Sequence, residues 1–369
     1  MVTEFDQILK QVDAVDPVAY ARSRNYFNGA VTRLSPYLSR GVVDTRTVLE
    51  RVLQNGFTYR ESISLIKELC WREYFQRVWQ SKNIDEDIRQ AQQGVNFSDL
   101  PSAVLNAETG IQAIDASIRE LYETGYVHNH ARMYIASLVC NVSGAHWFSP
   151  ARWMYYHLLD GDWASNACSW QWVAGAFSSK KYYANQENIN TYSGTNQVGT
   201  FLDVSYEGLP GIPTPEHLKK IETFNKSTPL PECSEFIIDI DRPVCIYNYY
   251  NLDPLWHSDE KLNRVLLLEP DIFSRYPVSQ GCLDFMFRLS KNIPDIRIFI
   301  GSFWEFKSRI PAMLPLYFKE HPLNKHYAGI EEPRTWLVNS IAGFYPSFSS
   351  YWRAIEPALE MNYNKSAGT

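Results

Sequence analysis

From the amino terminus to about residue 225, apolar positions recur at three-to-four spacing, turn clusters separate them, and period-two runs are few. That pattern predicts an all-helical region. Within it, residues 61–82 carry Ile63, Ile66, Leu69, Trp71, Phe75 and Val78 along one stripe, and 109–140 shows similar spacing interrupted at Gly125. Both read as half-buried helices. The segment NKSTPLPECS mixes Pro, Ser and Thr and predicts a linker. The pattern then changes. Residues 244–249, 264–268 and 296–300 are short β-prone runs, with a helical stretch over 278–290, so a small three-strand α/β unit is expected. From Trp304 onward the chain is aromatic and Pro-rich, as in GFYPSF. The predicted organisation is a mainly α protein: a helical domain over 1–225, a linker over 226–235, and a small α/β domain over 236–369 whose helical end packs on the first.

The 369 residues suffice for about two domains at roughly 100–200 residues each. With 45% apolar and 21% charged residues, disordered and fibrous classes are excluded. Eleven Trp, 23 Tyr and 19 Phe are a heavy load of groups that fill cores and stack on ring-shaped ligands. The start MVTEFDQILK lacks a basic region ahead of an apolar run, so no secretory signal is read. Apolar runs such as 134–140 and 265–268 fall far short of the ~18–20 residues that span a bilayer, and no membrane partner is expected. Six cysteines, at 70, 140, 168, 233, 245 and 282, include no C-x-x-C pair, which argues against a zinc or iron–sulfur cage and for reduced thiols in the cytoplasm. A net charge of −6 confines any nucleic-acid contact to a local patch.

Three segments carry candidate chemistry. In ELCWREYF, Glu68, Trp71, Arg72 and Phe75 fall at i, i+3, i+4 and i+7, so one helix face shows a carboxylate, an indole and a guanidinium. Such a face can hold a flat polar ring, although this segment alone favours an amphipathic helix whose Trp is core and whose Glu and Arg are surface. In TGYVHNHARMYIAS, Asn129, Arg132 and Met133 share a side with His128 nearby. His128 and His130 are two apart rather than the four that suit a helical metal pair, which favours a polar cleft lining over a metal. In LLDGDWASNACSWQW, Asp160-Gly161-Asp162 predicts a turn whose acids either bind magnesium or cap a helix, and Asn166 precedes Trp170 by four.

The order of these pieces is more specific than any one of them. VTRLSPYLSRG, ELCWREYF, TGIQAIDASIRELYETGYVHNHARM and HLLDGDWASNACSWQWVAG, over roughly residues 18–210, together resemble the FAD-binding helical domain of photolyases and cryptochromes. The resemblance implies a U-shaped FAD. Thr32, Arg33, Leu34 and Ser35 match the segment that holds the pyrophosphate, with Tyr20, Arg72 and Asn129 as further contacts. Arg132 matches the arginine paired with the aspartate at Asp160, Asp162 the acid at the flavin's polar edge, and Asn166 the side chain facing flavin N5.

The activity implied is light-driven electron transfer from reduced FAD that splits a cyclobutane pyrimidine dimer. Trp71 and Trp172 match the indoles that cradle the dimer, Glu68 the acid on its base edges, and Asn129 and Met133 residues of the cavity. Enzymes for the (6-4) photoproduct carry histidines at those last two positions, which points away from that lesion. Trp170 and Trp147 match the inner members of the chain that returns electrons to the flavin; the outer member falls near Phe97. Arg33, Arg40, His130, Lys180 and Lys181 are candidates for contact with damaged DNA, as single strand or weakly bound duplex.

His130 stands where repair enzymes often carry Arg, and only about 20 residues precede the FAD region, which leaves no room there for the usual antenna domain. Residues 243–300 resemble the first part of that domain, shortened and permuted, and too small for an antenna chromophore. With Phe97, these departures support an alternative: a cryptochrome-like blue-light photoreceptor whose partner is a signalling protein.

Overall fold

A computed structural model describes residues 1–232 and 236–364. Residues 233–235 of the expected linker, Cys233 among them, and 365–369 lie outside the described residues. The chain forms two compact units. One joins Met1–Val18, Thr32–Gln80 and Ser227–Thr369; the other joins Ala19–Val31 and Ser81–Lys226. The chain thus leaves the second unit where the linker is expected, while most of the first eighty residues share a unit with the carboxyl-terminal segment.

In the first unit, strands β1 (Val244–Tyr247), β2 (Asn263–Leu268), β3 (Arg297–Ile300), β4 (Leu316–Lys319) and β5 (Ile330–Glu332) form one parallel sheet in the order β3-β2-β1-β4-β5. Every neighbouring pair is parallel. The expectation of three strands is corrected to five among the described residues. The reason lies in burial. Strands β1 and β2 are buried at every position, and β1 and residues 265–268 of β2 read as unbroken apolar runs, as central parallel strands do. Strand β4 alternates buried and half-buried residues, and β5 is mostly exposed, so their charged and polar positions hide them. Val244, Ile246, Val265, Leu267, Phe299 and Phe318 build the core with Phe303 and Phe306. The helix expected over 278–290 is Gln280–Ser290, and Phe348–Tyr363 supplies the helical end.

The helix Ile63–Ser81 also belongs to this unit. Its buried side carries polar groups that reach the carboxyl-terminal segment: Arg77 Nη2 donates to the Ile341 carbonyl at 2.6 Å, and Arg334 Nη1 donates to Gln76 Oε1 at 2.6 Å. These part-buried bonds tie the helix to the carboxyl-terminal segment of the same unit.

The second unit is built on the helices Gln112–Thr124, Asn129–Ser137, Phe148–His157 and Trp163–Ala174. The interruption expected at Gly125 is a helix end: this glycine has φ 68°, and its N–H donates to the Leu121 carbonyl at 2.9 Å. A Cβ here would lie 2.6 Å from Leu159 and 3.1 Å from the His157 carbonyl oxygen, so the turn requires glycine. Among the described residues, no helix is long and apolar enough to cross a membrane. Cys70, Cys140, Cys168, Cys245 and Cys282 are free and buried.

The loop between β1 and β2 is fixed by charge. His257 lies in the left-handed region at φ 51° and is held between two carboxylates, Nδ1 at 2.5 Å from Glu260 and Nε2 at 2.9 Å from Glu332. Burial pulls its pKa down, but the two carboxylates outweigh that and raise it above 6.5. Because the folded value is the raised one, the stabilisation is complete below about pH 6.5 and is lost as pH rises through the folded pKa. Thermal unfolding should therefore show stability declining above pH 6.5, and His257→Gln should remove that part of the decline; an unchanged profile in the variant would refute the assignment.

Candidate functional site

The site residues divide between the two units. In the first, Glu68, Trp71 and Arg72 stand half-buried along one side of the helix Ile63–Ser81, while Leu65, Ile66, Leu69 and Cys70 are buried. Arg72 Nη2 donates to Ser39 Oγ at 3.1 Å, which ties the helix to the short turn of helix Ser35–Ser39. Ahead of that turn, Gln11 Nε2 donates to the carbonyls of Thr32 and Arg33 at 3.1 and 3.2 Å, and Thr32 Oγ1 accepts from Leu34 N at 3.3 Å. Arg33 is left-handed, with φ 53°, and Leu34 right-handed, a succession that gathers backbone N–H groups into an anion-binding concavity. Gln11, which holds this loop, carries no signal in the sequence.

Trp71 is already stacked. Its ring lies 3.8 Å from that of Phe348 at an interplanar angle of 7°, and Trp352 continues the stack beyond Phe348. Arg40 is corrected as a DNA contact: it is 0% exposed, and its guanidinium lies 3.5 Å from the centre of the Tyr249 ring. Arg33 is exposed.

In the second unit, Arg132 Nη2 donates to both oxygens of Asp160 at 3.0 and 2.8 Å, and Arg132 Nε donates to the Val127 carbonyl at 2.9 Å. Two of these bonds reach the buried carboxylate, and the third holds the guanidinium from its other side. Of the two readings of the acids, capping holds for Asp162, whose carboxylate accepts from Ser165 N at 2.7 Å at the start of helix Trp163–Ala174. Asn166 Nδ2 donates to the Ala151 carbonyl at 2.8 Å, which leaves Oδ1 as the accepting end of its amide. Asn129 opens the helix Asn129–Ser137 on its exposed side, with Met133 half-buried one turn on; His128 caps it by accepting from His130 N. Tyr20 is half-buried, with the Arg24 guanidinium 5.7 Å from its ring centre.

Trp170 and Trp147 are buried, whereas Trp172 is 37% exposed and tilted against Tyr182. Trp147 Nε1 donates to Asp87 Oδ1 at 2.6 Å, and Trp163 Nε1 to Asp85 Oδ1 at 2.7 Å. Phe97 pairs with Ala145 and accepts from His146 N at 2.8 Å, so it lies beside the segment that carries Trp147. Burial lowers the pKa of His130, although the Asn25 carbonyl at 2.9 Å pulls the other way; its ring packs between those of Tyr134 and Tyr192. Lys180 is exposed; Lys181 is half-buried, and burial lowers its pKa.

These groups suit FAD. Within the second unit, Asn166 offers an acceptor to a ring N–H, and the Ser165 hydroxyl, three residues on from Asp162, is buried with no hydrogen-bond partner among the described residues; within the first, the left-handed turn at Arg33 suits an anion.

Residues 65–203 match the model of the FAD binding domain of DNA photolyase. A deoxyribodipyrimidine photo-lyase of Alkalihalophilus pseudofirmus is 28% identical over 188 residues, 49% of this chain and 39% of that protein. A cryptochrome DASH of Gloeobacter violaceus is 32% identical over 174 residues, 42% of this chain and 33% of that protein. The solved cryptochrome of Synechocystis matches at 25% identity with a TM-score of 0.46, covering 51% of this chain and 43% of its own. Through residues 65–203 the chain is similar to the FAD binding domain of DNA photolyase, and it resembles proteins of both names. It spans about two fifths or less of the length of these two curated relatives.

Sequence reasoning misses the group on which the motif helix hangs. Glu73 is buried and accepts from Thr45 Oγ1, from Leu337 N at 2.8 Å and from Tyr351 Oη at 3.1 Å. Burial raises its pKa against the opposing pull of these donors. Glu73→Ala strands those donors and the neighbouring Arg77 charge, and should cost about 3–5 kcal/mol in chemical denaturation; a loss below about 1 kcal/mol would show that the network relaxes freely.

Proposed function

We propose that the chain is a FAD-dependent, photolyase-like carbon–carbon lyase that splits cyclobutane pyrimidine dimers under light, preferring single-stranded DNA, in which extrusion of a base costs least. The observation that carries this reading is the fixed array Arg132, Asp160, Asp162 and Asn166. Each polar end is held by a backbone or carboxylate partner, which is how a protein orients a cofactor's polar edge. Photoexcited in its reduced form, bound FAD supplies the electron that opens the dimer.

The chain's own residues do the rest. Tyr20, Thr32, Arg33, Leu34, Ser35, Arg72 and Asn129 bind the cofactor. Glu68 donates or accepts at the base edges, Trp71 and Trp172 flank the bases, and Asn129 and Met133 close the cavity. Trp170 and Trp147 return electrons. Arg33, Lys180 and Lys181 contact phosphates in this reading, which the exposure of Arg33 and Lys180 supports. Residues 1–225 are the FAD-binding domain in this reading, and 236–369 a permuted, antenna-like domain, which the parallel order of β1 to β3 supports. The free, buried thiols suit the cytoplasm.

The second reading, a blue-light photoreceptor acting on a signalling protein, draws support from one contact: Phe348 already covers a face of Trp71. A decisive assay illuminates the reduced, FAD-loaded protein with a dimer-containing single-stranded oligonucleotide and follows recovery of pyrimidine absorbance. Light-dependent recovery is expected. Glu68→Ala should slow it about 10- to 100-fold, the loss of one hydrogen bond to a charged group, without slowing photoreduction. Trp170→Phe should impair photoreduction yet spare repair by prereduced protein. Photoreduction without recovery would replace the lyase with the photoreceptor, and absence of bound FAD would overturn both.

A further inference from the structure

We propose that Asp87 is the proton acceptor that completes the oxidation of Trp147. The inference rests on the reading of Trp170 and Trp147 as electron donors, but its geometry lies wholly within the second unit. The indole of Trp147 is fully buried, and its Nε1–H ends 2.6 Å from Asp87 Oδ1. The carboxylate is held in place: Asp87 Oδ2 accepts from Gln92 N at 2.7 Å, Gln92 Oε1 accepts from Trp147 N at 2.9 Å, and Gln92 Nε2 donates to the Ala145 carbonyl at 2.8 Å. Acid and indole are therefore braced through the same glutamine. On the solvent side, His146 Nε2 lies 3.6 Å from the same Asp87 oxygen, with the His146 and Asp87 side chains 31% and 20% exposed.

The pairing answers a specific difficulty. A positive charge created on an indole with no exposure is costly in a low-dielectric interior. An outer indole would carry it to the surface, but the neighbouring segment offers Phe97, whose ring is much harder to oxidise. A charge that stays on Trp147 is lost when Trp147 takes its electron back. Proton transfer prevents this by neutralising donor and acceptor together. Trp170 gives one electron to the photoexcited oxidised flavin and recovers one from Trp147. Trp147 then breaks its Nε1–H bond, an O–H bond forms on Asp87, and a neutral indolyl radical remains beside a neutral acid. The proton passes from Asp87 through His146 to water. A thiol reductant in solution later supplies an electron, with a proton from water, to restore Trp147. Asp87 thus acts through Trp147 and not on the flavin.

The neighbouring pair Trp163 and Asp85, joined at 2.7 Å, is a built-in control, since it has the same chemistry at an indole outside the proposed chain. The test uses the flavin-loaded full chain. In the dark, the NMR resonance of the Trp147 indole proton should shift upfield in Asp87→Asn and stay in place in Asp85→Asn; a resonance unmoved by Asp87→Asn overturns the pairing. After a laser flash, the tryptophan radical of the unmodified protein should pass from its protonated to its deprotonated absorption band, more slowly in D2O. Asp87→Asn should lose the deprotonated band, and Asp87→Glu should restore it. Equal deprotonation in Asp87→Asn, or no solvent isotope effect in the unmodified protein, overturns the proposal. A dark resonance that responds to Asp87→Asn, with no tryptophan radical after the flash, instead overturns the electron-donor reading and the proton step with it.

Discussion

A carboxylate taken out of water must find its donors inside the protein, and Glu73 finds them in three separate stretches of chain, at Thr45, Leu337 and Tyr351. That constraint sets the first unit. The helix Ile63–Ser81 cannot turn about its axis without breaking the Glu73 network and the Arg77 bond to the Ile341 carbonyl. The Arg77 guanidinium also lies 3.6 Å from the centre of the Trp336 ring, so packing and charge hold the same orientation. With one side fixed, Glu68, Trp71 and Arg72 must stand on the other, three and four residues apart and within reach of a shared planar ligand. The chemistry on one face follows from the buried charge on the opposite one.

The second unit repeats the device with different partners. Asp160 orients a guanidinium, Asp162 caps the start of a helix, and Asp85 and Asp87 each take the N–H of a buried indole. A buried indole needs an acceptor, and most find a carbonyl or a hydroxyl. A carboxylate is the stronger choice, because charge-assisted bonds are roughly twice as strong as neutral ones, and it alone can also hold a proton. Structural satisfaction and the proposed redox chemistry thus make the same demand at Trp147, while at Trp163 the first demand stands by itself.

Much of this was legible in the sequence where the signal is local. The stripe from Ile63 to Val78 gave the motif helix, Gly125 its break, and the runs at 244 and 264 the two central strands. The ordered motifs of residues 18–210 point to FAD without any geometry. What escaped was set by distant chain. Glu73 reads as another surface acid until Leu337, 264 residues away, donates to it. Arg40 reads as a surface cation, because nothing nearby in the sequence announces the Tyr249 ring that covers it. Strand β5 holds only Ile330, Glu331 and Glu332, a composition that favours solvent, and is a strand because β4 lies beside it.

For the proposed dimer-splitting activity, the stack of Phe348 on Trp71 bears most directly on lesion entry. An aromatic pair contributes about 0.5–1.5 kcal/mol beyond the area it buries. A base stacked on an aromatic side chain is worth about 1–3 kcal/mol. The two ranges overlap, so a pyrimidine can displace Phe348 but recovers little by doing so, and its apparent affinity falls by the fraction of time the indole is uncovered. Phe348 begins a helix whose capping residue, Ser347, pairs reciprocally with Ser350, and whose Tyr351 is bound to Glu73. Displacing the ring by rotating its side chain leaves those bonds intact, whereas lifting the helix would break the Glu73 network. The same buried carboxylate that orients Trp71 therefore limits how its cover can open: side-chain rotation is inexpensive, and helix displacement is not.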